Sequence, residues 1–278
     1  MKIDLKDKPI VITGASSGIG AATAVECARA GMPVVLTARR ADKLEHLAAM
    51  VRNAGGRAAI FAGDVSDPEV SRRAVELCVS EFGSVYSVFA NAGYGVERPV
   101  HEMSDPEVRE MFEVNFFGTL HTIRPALPHM LRARAGHVLI CSSCLAKFTI
   151  PYFGVYSATK AAQNHISRAM KLELEPLGVH VSSVHPVGTK TEFFDTAQKR
   201  SGETPILAHT SERFMQTPEV VARAILRCLR RPVSEVWTSA LVRLGMAFSM
   251  PFPFLADMGV RGMVRERQSR HASPATAG

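Results

Sequence analysis

The hydrophobic positions of this chain form short unbroken runs that alternate with longer amphipathic stretches. Apolar runs of this length between turn residues are typical of strands buried on both faces, whereas apolar residues spaced three and four apart indicate helices. The runs predict strands at residues 9–13, 33–38, 57–62, 85–90, 137–142 and 179–185. Strands that alternate with helices indicate a parallel sheet covered on both faces, which is a Rossmann-type, doubly wound α/β domain.

Start and stop signals place the helices between these strands. The segments 66–69 and 104–107 both read Ser-Asp-Pro-Glu, the spacing of a capping box. They predict helices that run to about residue 82 and, in the second case, without a break to about residue 132. Other helices are predicted at residues 20–31, 41–54, around 156–177 and 217–230, whereas the polar segment 192–216 is predicted to be irregular.

Length and composition indicate one domain with an appendage. The 278 residues are 46% hydrophobic, which is enough for a substantial single core. We predict a dinucleotide-binding and catalytic domain over residues 1–238, with a substrate loop at about 188–217, and a C-terminal extension over 239–278 that ends in a frayed tail. The charged N-terminus has no signal-peptide core, and the five cysteines are scattered, so we expect a cytoplasmic protein.

A glycine cluster follows the first predicted strand. Gly14 permits a tight turn, Gly18 lets the backbone approach a pyrophosphate, and Gly20 lets helix and strand pack closely. The N-terminus of the following helix supplies amide donors and a positive dipole end to a phosphate. The sequence of strand, glycine turn and helix therefore predicts a dinucleotide site, although a glycine cluster without this context is weak evidence.

The second predicted strand ends in Ala38-Arg39-Arg40. Sites that prefer NAD carry an acidic residue at about this distance from the glycine loop, whereas a basic residue accommodates the 2′-phosphate of NADP. The acid is absent here and the arginines are present. We therefore predict that the cofactor is NADP(H). The alternative is that Arg39 and Arg40 are only the first, solvated residues of the next helix, and this alternative applies more strongly to Arg40.

Polar residues follow two further strands, at the edge of the sheet where ligands gather. These are Asp64 with Val65 after the third strand, and Asn91, Ala92 and Gly93 after the fourth. Asp64 has an alternative role as a simple turn residue. Asn115 lies among apolar residues, so its amide must find hydrogen-bond partners, either as a structural link or as part of a polar relay.

The stretch from Ser143 to Lys160 carries the candidate chemistry. Tyr156 and Lys160 are four residues apart, so a helix places them on one face. An ammonium about 4 Å from a phenolate stabilises it by roughly 4 kcal/mol, which predicts a Tyr156 pKa lowered by about three units towards neutrality. Alone, the pattern is more often a surface pair; Ser143 at the end of the fifth strand and the glycine loop reverse that judgement.

Together these features resemble the classical short-chain dehydrogenase/reductase family. They are TGASSGIG at 13–20, NAG at 91–93, Asn115, Ser143 and YSATK at 156–160, and the resemblance covers roughly residues 8–238. Ser143 stands thirteen residues before Tyr156, as the family pattern requires. The resemblance implies a seven-stranded parallel sheet and hydride transfer between a nicotinamide cofactor and an alcohol, ketone or aldehyde.

The resemblance also implies roles for individual residues. Tyr156 becomes the general acid/base, Lys160 tunes its pKa and binds the nicotinamide ribose, Ser143 bonds the substrate oxygen, and Asn115 holds a relay water. The predicted cofactor contacts are Gly14, Ser16, Ser17, Gly18, Ile19, Gly20, Arg39, Arg40, Asp64, Val65, Asn91, Ala92, Gly93, Tyr156, Lys160, Pro186, Thr189 and Thr191. Val187 stands where the family usually has glycine, which affects the expected backbone path under the nicotinamide.

Several alternatives concern metals, substrates and partners. Cys141 and Cys144 form an isolated C-x-x-C, and the ten histidines show no ligand spacing, so no metal is predicted. Apolar residues at 144–155 and 239–260 predict a bulky or lipid-like substrate; the same residues suit a core or a subunit contact. A small polar substrate and a non-catalytic NADP(H)-binding regulatory or scaffold protein are the rival hypotheses.

The C-terminal extension is apolar and basic. From residue 239 it has five arginines against two acidic residues, in a chain of net charge +7. Peripheral membrane contact through 239–270 is one prediction, and a flap over the pocket or a subunit contact is the alternative. Arg243, Pro251 and Pro253 argue against a spanning helix. No nucleic-acid motif is recognised, and a homodimer or homotetramer is expected.

Overall fold

A seven-stranded parallel sheet forms the centre of the molecule. The computed structural model describes residues 2–201, 215–249, 251, 252, 254, 257, 258, 260–262, 264 and 265. The strands lie in the order β3-β2-β1-β4-β5-β6-β7, and every neighbouring pair is parallel. They are β1 Ile10–Thr13, β2 Val34–Ala38, β3 Ala58–Ala62, β4 Ser87–Ala90, β5 Gly136–Cys141, β6 Val179–His185 and β7 Glu235–Trp237. The doubly wound α/β prediction is confirmed.

Helices cover both faces of this sheet. They are α1 Gly18–Arg29, α2 Ala41–Asn53, α3 Pro68–Phe82, α4 Asp105–Phe112, α5 Gly118–Ile123, α6 Leu127–Ala133, α7 Gly154–Leu174, α8 Glu192–Ser201, α9 Pro218–Arg230 and α10 Ala240–Ser249. Because side chains alternate along a strand, Ile10 and Ile12 pack into the core that holds α1, α2 and α9. Val11, between them, packs on the opposite face with α3 and α6. The unbroken apolar runs thus reflect burial on both sides.

Of the two predicted capping boxes, one is confirmed and one is wrong. The Glu107 carboxylate accepts hydrogen bonds from the Ser104 amide at 2.9 Å and the Ser104 hydroxyl at 2.8 Å, and the reciprocal box is complete. At the first segment, α3 begins one residue later than the pattern predicted. Asp67 is its N-cap and accepts from the Glu69 amide at 2.9 Å, because a carboxylate one residue nearer displaces the Ser66 hydroxyl.

The helix predicted to run unbroken to about residue 132 is interrupted twice. Residues Glu113–Phe117 form a π-helical segment, and a turn at 124–126 separates α5 from α6. Pro125 and Pro128 explain the turn, because proline lacks an amide donor and clashes with the preceding helical turn. The π segment frees the Asn115 carbonyl, which accepts instead from the side chains of Thr119 at 2.8 Å and Gln163 at 2.6 Å.

One segment of the chain's last third differs from expectation, and the C-terminal extension, for which no secondary structure was predicted, is partly helical. The first part of the polar segment 192–216 is not irregular: it forms α8, which buries Ala197 and Ser201 on one face. The rest of that segment, 202–214, lies outside the described residues. In the C-terminal extension α10 is followed by further helical residues between 254 and 265. Within the described part of the chain, no helix is both long and apolar enough to cross a membrane.

Candidate active site

The glycine loop between β1 and α1 depends on missing side chains. Gly14 and Gly18 have φ angles of +64° and +55°, the left-handed region that favours glycine. A Cβ on Gly20 would lie 2.4 Å from the Gly14 carbonyl oxygen, and one on Gly14 would lie 2.9 Å from the Ala92 Cα. Ile19 packs partly against the core. The loop therefore offers bare backbone and the N-terminus of α1, which fits the pyrophosphate of a dinucleotide.

The loop after β4 is tied to this glycine loop by a short network. The Asn91 side-chain amide donates to the carbonyls of Thr13 at 3.0 Å and Gly14 at 3.3 Å. The Thr13 hydroxyl in turn accepts from the Asn91 amide at 3.1 Å and the Ala92 amide at 3.3 Å. Gly93 continues this loop, where a Cβ would lie 2.9 Å from the Asn115 Oδ1. Asn91 therefore sets the position of the loop that faces the cofactor site.

The two arginines after β2 have different surroundings. Arg39 is largely exposed and lies 3.6 Å from the Asp64 carboxylate, so both face the same end of the sheet. Asp64 also accepts from the Ser66 amide at 3.0 Å and hydroxyl at 2.9 Å, as a turn residue does. Arg40 donates to the hydroxyls of Ser16 at 2.9 Å and Ser17 at 3.0 Å. Arg40 thus contacts the glycine loop directly and does more than open a helix.

The remaining predicted cofactor residues come from the ends of β3 and β6. Val65 is buried, and its carbonyl accepts from His121 Nδ1 at 3.0 Å. The Pro186 carbonyl accepts from the Cys144 amide at 3.1 Å, and the Thr189 hydroxyl donates to the Val187 carbonyl at 2.7 Å. Thr191 lies against Gly18, where an added Cβ would come within 2.9 Å of its Cγ2. The predicted cofactor residues after β6 therefore lie at the same edge of the sheet as the glycine loop, although more than 160 residues separate them in sequence.

The predicted catalytic side chains converge between the end of β5 and the start of α7. Ser143, Tyr156 and Lys160 are all buried, and the Ser143 hydroxyl forms a hydrogen bond with the Tyr156 phenol. The Lys160 ammonium lies 5.6 Å from the centre of the Tyr156 ring and donates to the Cys141 carbonyl at 2.8 Å. The structure therefore brings the hydroxyl, the phenol and the ammonium into one buried space, while their catalytic roles stay predictions.

The predicted lowering of the Tyr156 pKa is wrong for this arrangement. Burial raises the pKa of Tyr156 above its ordinary value, and the hydrogen bond from Ser143 opposes the shift only in part. Burial also lowers the pKa of Lys160. The spacing argument treated both groups as solvated, whereas the ammonium is turned towards the Cys141 carbonyl and both groups are removed from water. Tyr156 is therefore held as a neutral phenol.

Asn115 is fully engaged in hydrogen bonds beside this cluster. Its Oδ1 accepts from the Tyr94 amide at 2.9 Å, and its Nδ2 donates to the Tyr94 carbonyl at 2.9 Å and the Thr159 hydroxyl at 3.0 Å. These contacts fix the segment after Gly93 onto α7. The structural role considered for Asn115 is therefore present, while its implied role as the holder of a relay water stays a prediction.

A buried histidine that the sequence patterns did not indicate supports the backbone of Ser143. The His185 Nδ1 lies 2.9 Å from the Ser143 carbonyl, so that nitrogen carries the proton and donates. Its Nε2 lies 2.9 Å from the Ser183 hydroxyl, and its ring stacks on Trp237 at 4.6 Å between centres. His185 thereby links the end of β6 and β7 to the serine.

Aromatic and aliphatic side chains surround the phenol on the substrate side. The Phe193 ring lies 5.3 Å and the Phe153 ring 6.1 Å from the Tyr156 ring, centre to centre. Tyr94, Ile150 and Met111 belong to the same apolar cluster. Val260, from the C-terminal extension, also packs on it. This contact supports the alternative that the extension covers the pocket. Phe193 and Val260 lie in the segments 188–217 and 239–260 that the sequence assigned to the substrate side, although no motif singled out either residue.

Helix α8 crosses this region and is attached at both ends. At its start, Glu192 pairs with Lys43 at 2.6 Å and with Arg40 at 2.7 Å. These contacts, with the Lys43 bond first, lower the pKa of Glu192 to about 2. At its end, Arg200 pairs with Glu110 at 2.9 Å and lies 4.1 Å above the Tyr94 ring. Helix α8 therefore connects the arginines of the predicted NADP site to the aromatic side chains around Tyr156, which we call the aromatic wall.

No metal site is visible in the part of the chain that the structure describes. Cys141 and Cys144 are free thiols, with Cys141 buried. Among the described residues, no group of three histidine, cysteine or acidic side chains could hold a metal ion.

Comparison with known proteins places this geometry in a family. The sequence matches the family model for short chain dehydrogenases over residues 8–202. An uncharacterised oxidoreductase of Listeria innocua is 30% identical over 82% of this chain and 92% of its own length. An A-factor type gamma-butyrolactone 1′-reductase of Streptomyces virginiae is 33% identical over 86% of this chain and 94% of its own length.

Solved structures lead to the same conclusion. An alcohol dehydrogenase of the archaeon Thermococcus sibiricus, complexed with 5-hydroxy-NADP, has a TM-score of 0.72 and 32% identity, and the match covers 83% of this chain and 95% of that one. A Burkholderia phymatum short-chain dehydrogenase/reductase in complex with NAD has the same fold, with a TM-score of 0.81 at 24% identity and coverage of 91% and 96%. The motifs, the sheet order and these matches together show that the chain belongs to the short-chain dehydrogenase/reductase family of oxidoreductases.

Proposed function

We propose that this protein is an NADP(H)-dependent oxidoreductase that interconverts an alcohol and a ketone or aldehyde of bulky, apolar character. The observation that carries the proposal is the buried cluster of Ser143, Tyr156 and Lys160 beside the glycine loop. A non-catalytic nucleotide-binding protein has no need to keep a phenol, a hydroxyl and an ammonium together out of water.

The side chains divide the work at the substrate oxygen. A nicotinamide cofactor held by the glycine loop, Thr191 and Lys160 would supply or accept the hydride. Tyr156, kept neutral by burial, donates its proton to the carbonyl oxygen during reduction and takes it back during oxidation. The Ser143 hydroxyl bonds the same oxygen, and the Lys160 ammonium stabilises the charge that develops on the phenolate.

The aromatic wall supports an apolar substrate. Phe153 and Phe193 lie against the Tyr156 ring and Val260 packs on the same apolar cluster, so these side chains would exclude water from the reacting oxygen. Two similar proteins are named as a butyrolactone reductase and an alcohol dehydrogenase, which agrees with chemistry on a carbonyl or an alcohol. A small polar substrate is the rival that a substrate panel addresses.

The preference for NADP(H) rests on Arg39 and Arg40 at the end of β2. The largely exposed Arg39 guanidinium, which lies 3.6 Å from Asp64, has further N–H donors for a charge-assisted bond to a 2′-phosphate, and Ala38 offers no acceptor to a ribose 2′-hydroxyl. Fluorescence titration with NADPH and NADH tests this preference. We expect tighter NADPH binding that falls towards the NADH value in Arg39→Ala; equal affinities in the natural protein would contradict it.

The catalytic proposal is tested by removing one oxygen. Tyr156→Phe should abolish reduction of every carbonyl accepted from a panel that ranges from small sugars to steroids and long-chain ketones. NADPH binding should remain nearly unchanged, because the glycine loop is untouched. Turnover that persists in this variant would refute the role of Tyr156, and a natural protein that binds NADPH but turns over nothing in the panel would favour the scaffold alternative.

A further inference from the structure

A basic groove runs along the β7 edge of the molecule, away from the glycine loop. Its volume is about 1050 Å³, and α7, α9, β7 and α10 form its walls. Seven positively charged side chains, from the N-terminus, α7, α9 with the residue after it, and α10, line the groove, namely Lys2, Arg168, Lys171, Arg227, Arg230, Arg231 and Arg243. Among the described residues that line the groove, Glu235 alone is acidic, and Lys147 already pairs with it at 2.6 Å. The net charge of the groove is therefore strongly positive.

These charges are poorly compensated within the protein. Lys171 pairs with Glu175 at 2.8 Å. No carboxylate in the described part of the chain forms an ion pair with Arg168, Arg227, Arg231 or Arg243. Like charges gathered in one concave surface repel one another and attract anions. The groove is consequently built to meet a partner with several negative charges.

Exposed apolar side chains lie in the groove itself and on α10, the helix that contributes Arg243 to it. Leu172 and Val233 line it and are 74% and 51% exposed. On α10, Leu241, Leu244 and Phe248 are 80%, 57% and 66% exposed, and their spacing of three and four residues puts them on one helix face. An isolated exposed leucine needs no explanation, but an exposed apolar face on a helix that also supplies an arginine to a basic groove does.

We propose that this basic groove and the apolar face of α10 dock the protein on the surface of an anionic phospholipid membrane. Anionic headgroups match the arginines, and the boundary between headgroups and acyl chains accepts the leucine and phenylalanine side chains. A second copy of this chain would bring two such basic surfaces together, and a nucleic acid would leave the apolar face exposed. The absence of a spanning helix among the described residues agrees with surface binding.

The proposal does not depend on the reaction, because vesicle binding is measured without turnover. The full chain is sedimented with extruded vesicles of phosphatidylcholine alone or with one quarter phosphatidylglycerol, at 50 mM and 500 mM salt. We expect binding to the anionic vesicles only, and weaker binding at high salt. Equal binding to both kinds of vesicle, or to neither, would overturn the proposal.

Two double variants separate charge from apolar contact. Arg227→Gln with Arg231→Gln should weaken anionic-vesicle binding about 25-fold, at about fivefold for each basic residue near the surface. The matched control is Arg72→Gln with Arg73→Gln on α3, which removes the same charge from a distant helix and should change binding less than twofold. Leu244→Ser with Phe248→Ser should weaken binding at least tenfold, because both side chains are exposed and their loss leaves the core intact.

The rival occupants give different results. Self-association that these variants abolish, without vesicle binding in the natural protein, would assign the surface to a second copy. Binding of single-stranded DNA in the absence of vesicle binding would assign it to nucleic acid. Either result overturns the proposal, and unchanged melting temperature and NADPH affinity in the variants would show that their folds are intact.

Discussion

The two halves of the sheet bury different kinds of side chain. Around β1 and β2 the core is largely aliphatic, as at Val34, Val35 and Leu36, and its buried polar side chains are hydroxyls such as those of Thr13 and Thr37. Around β4, β5 and β6 the core also contains imidazoles and linked hydroxyls: Ser87 donates to the His137 carbonyl at 2.6 Å, and the His137 ring bonds Ser182 at 2.8 Å. The first half presents bare backbone to the nucleotide, whereas the second half positions side chains for chemistry.

This difference teaches how each half fails. At the glycine loop function depends on atoms that are missing, so that a single added methyl group has nowhere to go. On the catalytic side function depends on bonds that are present, so that a removed group leaves a buried partner unsatisfied. Loss of one buried hydrogen bond lowers the free energy of unfolding by roughly 1–3 kcal/mol. A steric clash with the backbone instead displaces the whole glycine loop.

The largest effect is therefore expected from the smallest addition. Gly20→Ala puts a Cβ 2.4 Å from the Gly14 carbonyl, a contact that only backbone movement can relieve. NADPH affinity measured by fluorescence should fall at least 100-fold. Gly245→Ala on α10 is the matched control, because no heavy atom lies within 4 Å of its added Cβ. Normal NADPH affinity in Gly20→Ala would show that the loop does not bind through close backbone approach.

A smaller but still large effect is expected on the catalytic side. Asn115→Ala removes three side-chain hydrogen bonds and leaves both backbone groups of Tyr94 buried without their partner. The free energy of unfolding should fall by about 3 kcal/mol in a urea titration. Thr159→Ser keeps one hydroxyl partner for Asn115 and serves as the mild control. A loss below 1 kcal/mol would mean that the segment after Gly93 is held by other contacts.

The same contrast explains what could be predicted from the sequence. Backbone-determined features have fixed local patterns, so the six apolar runs, the glycine loop and the spacing of Ser143, Tyr156 and Lys160 indicated their positions correctly. β7 has only three residues and carries no apolar run of its own. Its place in the sheet followed only from the resemblance to a seven-stranded family.

Features that depend on contacts between distant residues were not predictable. The partners of Glu192, which are Lys43 on α2 and Arg40 just before that helix, are about 150 residues away in sequence, and no pattern links them. The extent of burial, which depends on the whole fold, also determines the Tyr156 pKa. Burial raises this pKa, whereas the spacing of Tyr156 and Lys160 alone predicted that it would be lowered. The hydrogen bond from Gln163 to the Asn115 carbonyl of the π-helical segment also joins two different helical regions, which no local pattern links.

The polar core of the second half should make stability sensitive to acid. Burial lowers the pKa of His137 to about 3. Between that value and the ordinary value near 6.5, the unfolded chain binds a proton that the folded protein does not, so stability falls as pH falls through this window. From pH 7 to pH 5 the loss from this residue is about 2 kcal/mol.

Urea titrations of the natural protein and of His137→Asn at the two pH values measure this contribution. The variant will be less stable overall, but its loss between pH 7 and pH 5 should be smaller by about 2 kcal/mol. An unchanged loss would assign the acid sensitivity to other groups. His185, whose pKa burial also lowers, would then be the first to consider because its proton balance has the same sign.

The smallest effect is expected where an ion pair joins the two halves. Glu192 on α8 contacts Lys43 and Arg40 next to the glycine loop, but its side chain is 42% exposed, and exposed pairs contribute at most about 1 kcal/mol. Its lowered pKa means that this contribution is present above about pH 4.5 and is lost as pH falls towards about 2. Glu192→Gln should therefore change the melting temperature only slightly.

The same substitution should have a clearer local consequence. Without the Glu192 ion pairs, α8 remains attached through Phe193 and Arg200. The substitution should therefore speed up amide hydrogen exchange severalfold more at residues 192–195 than at residues 198–201. Glu76→Gln, which breaks an exposed pair with Arg72 on α3, is the matched control and should leave α8 unchanged. Unaltered exchange in Glu192→Gln would mean that the aromatic contact alone positions this helix, and that the nucleotide half does not restrain the substrate side through charge.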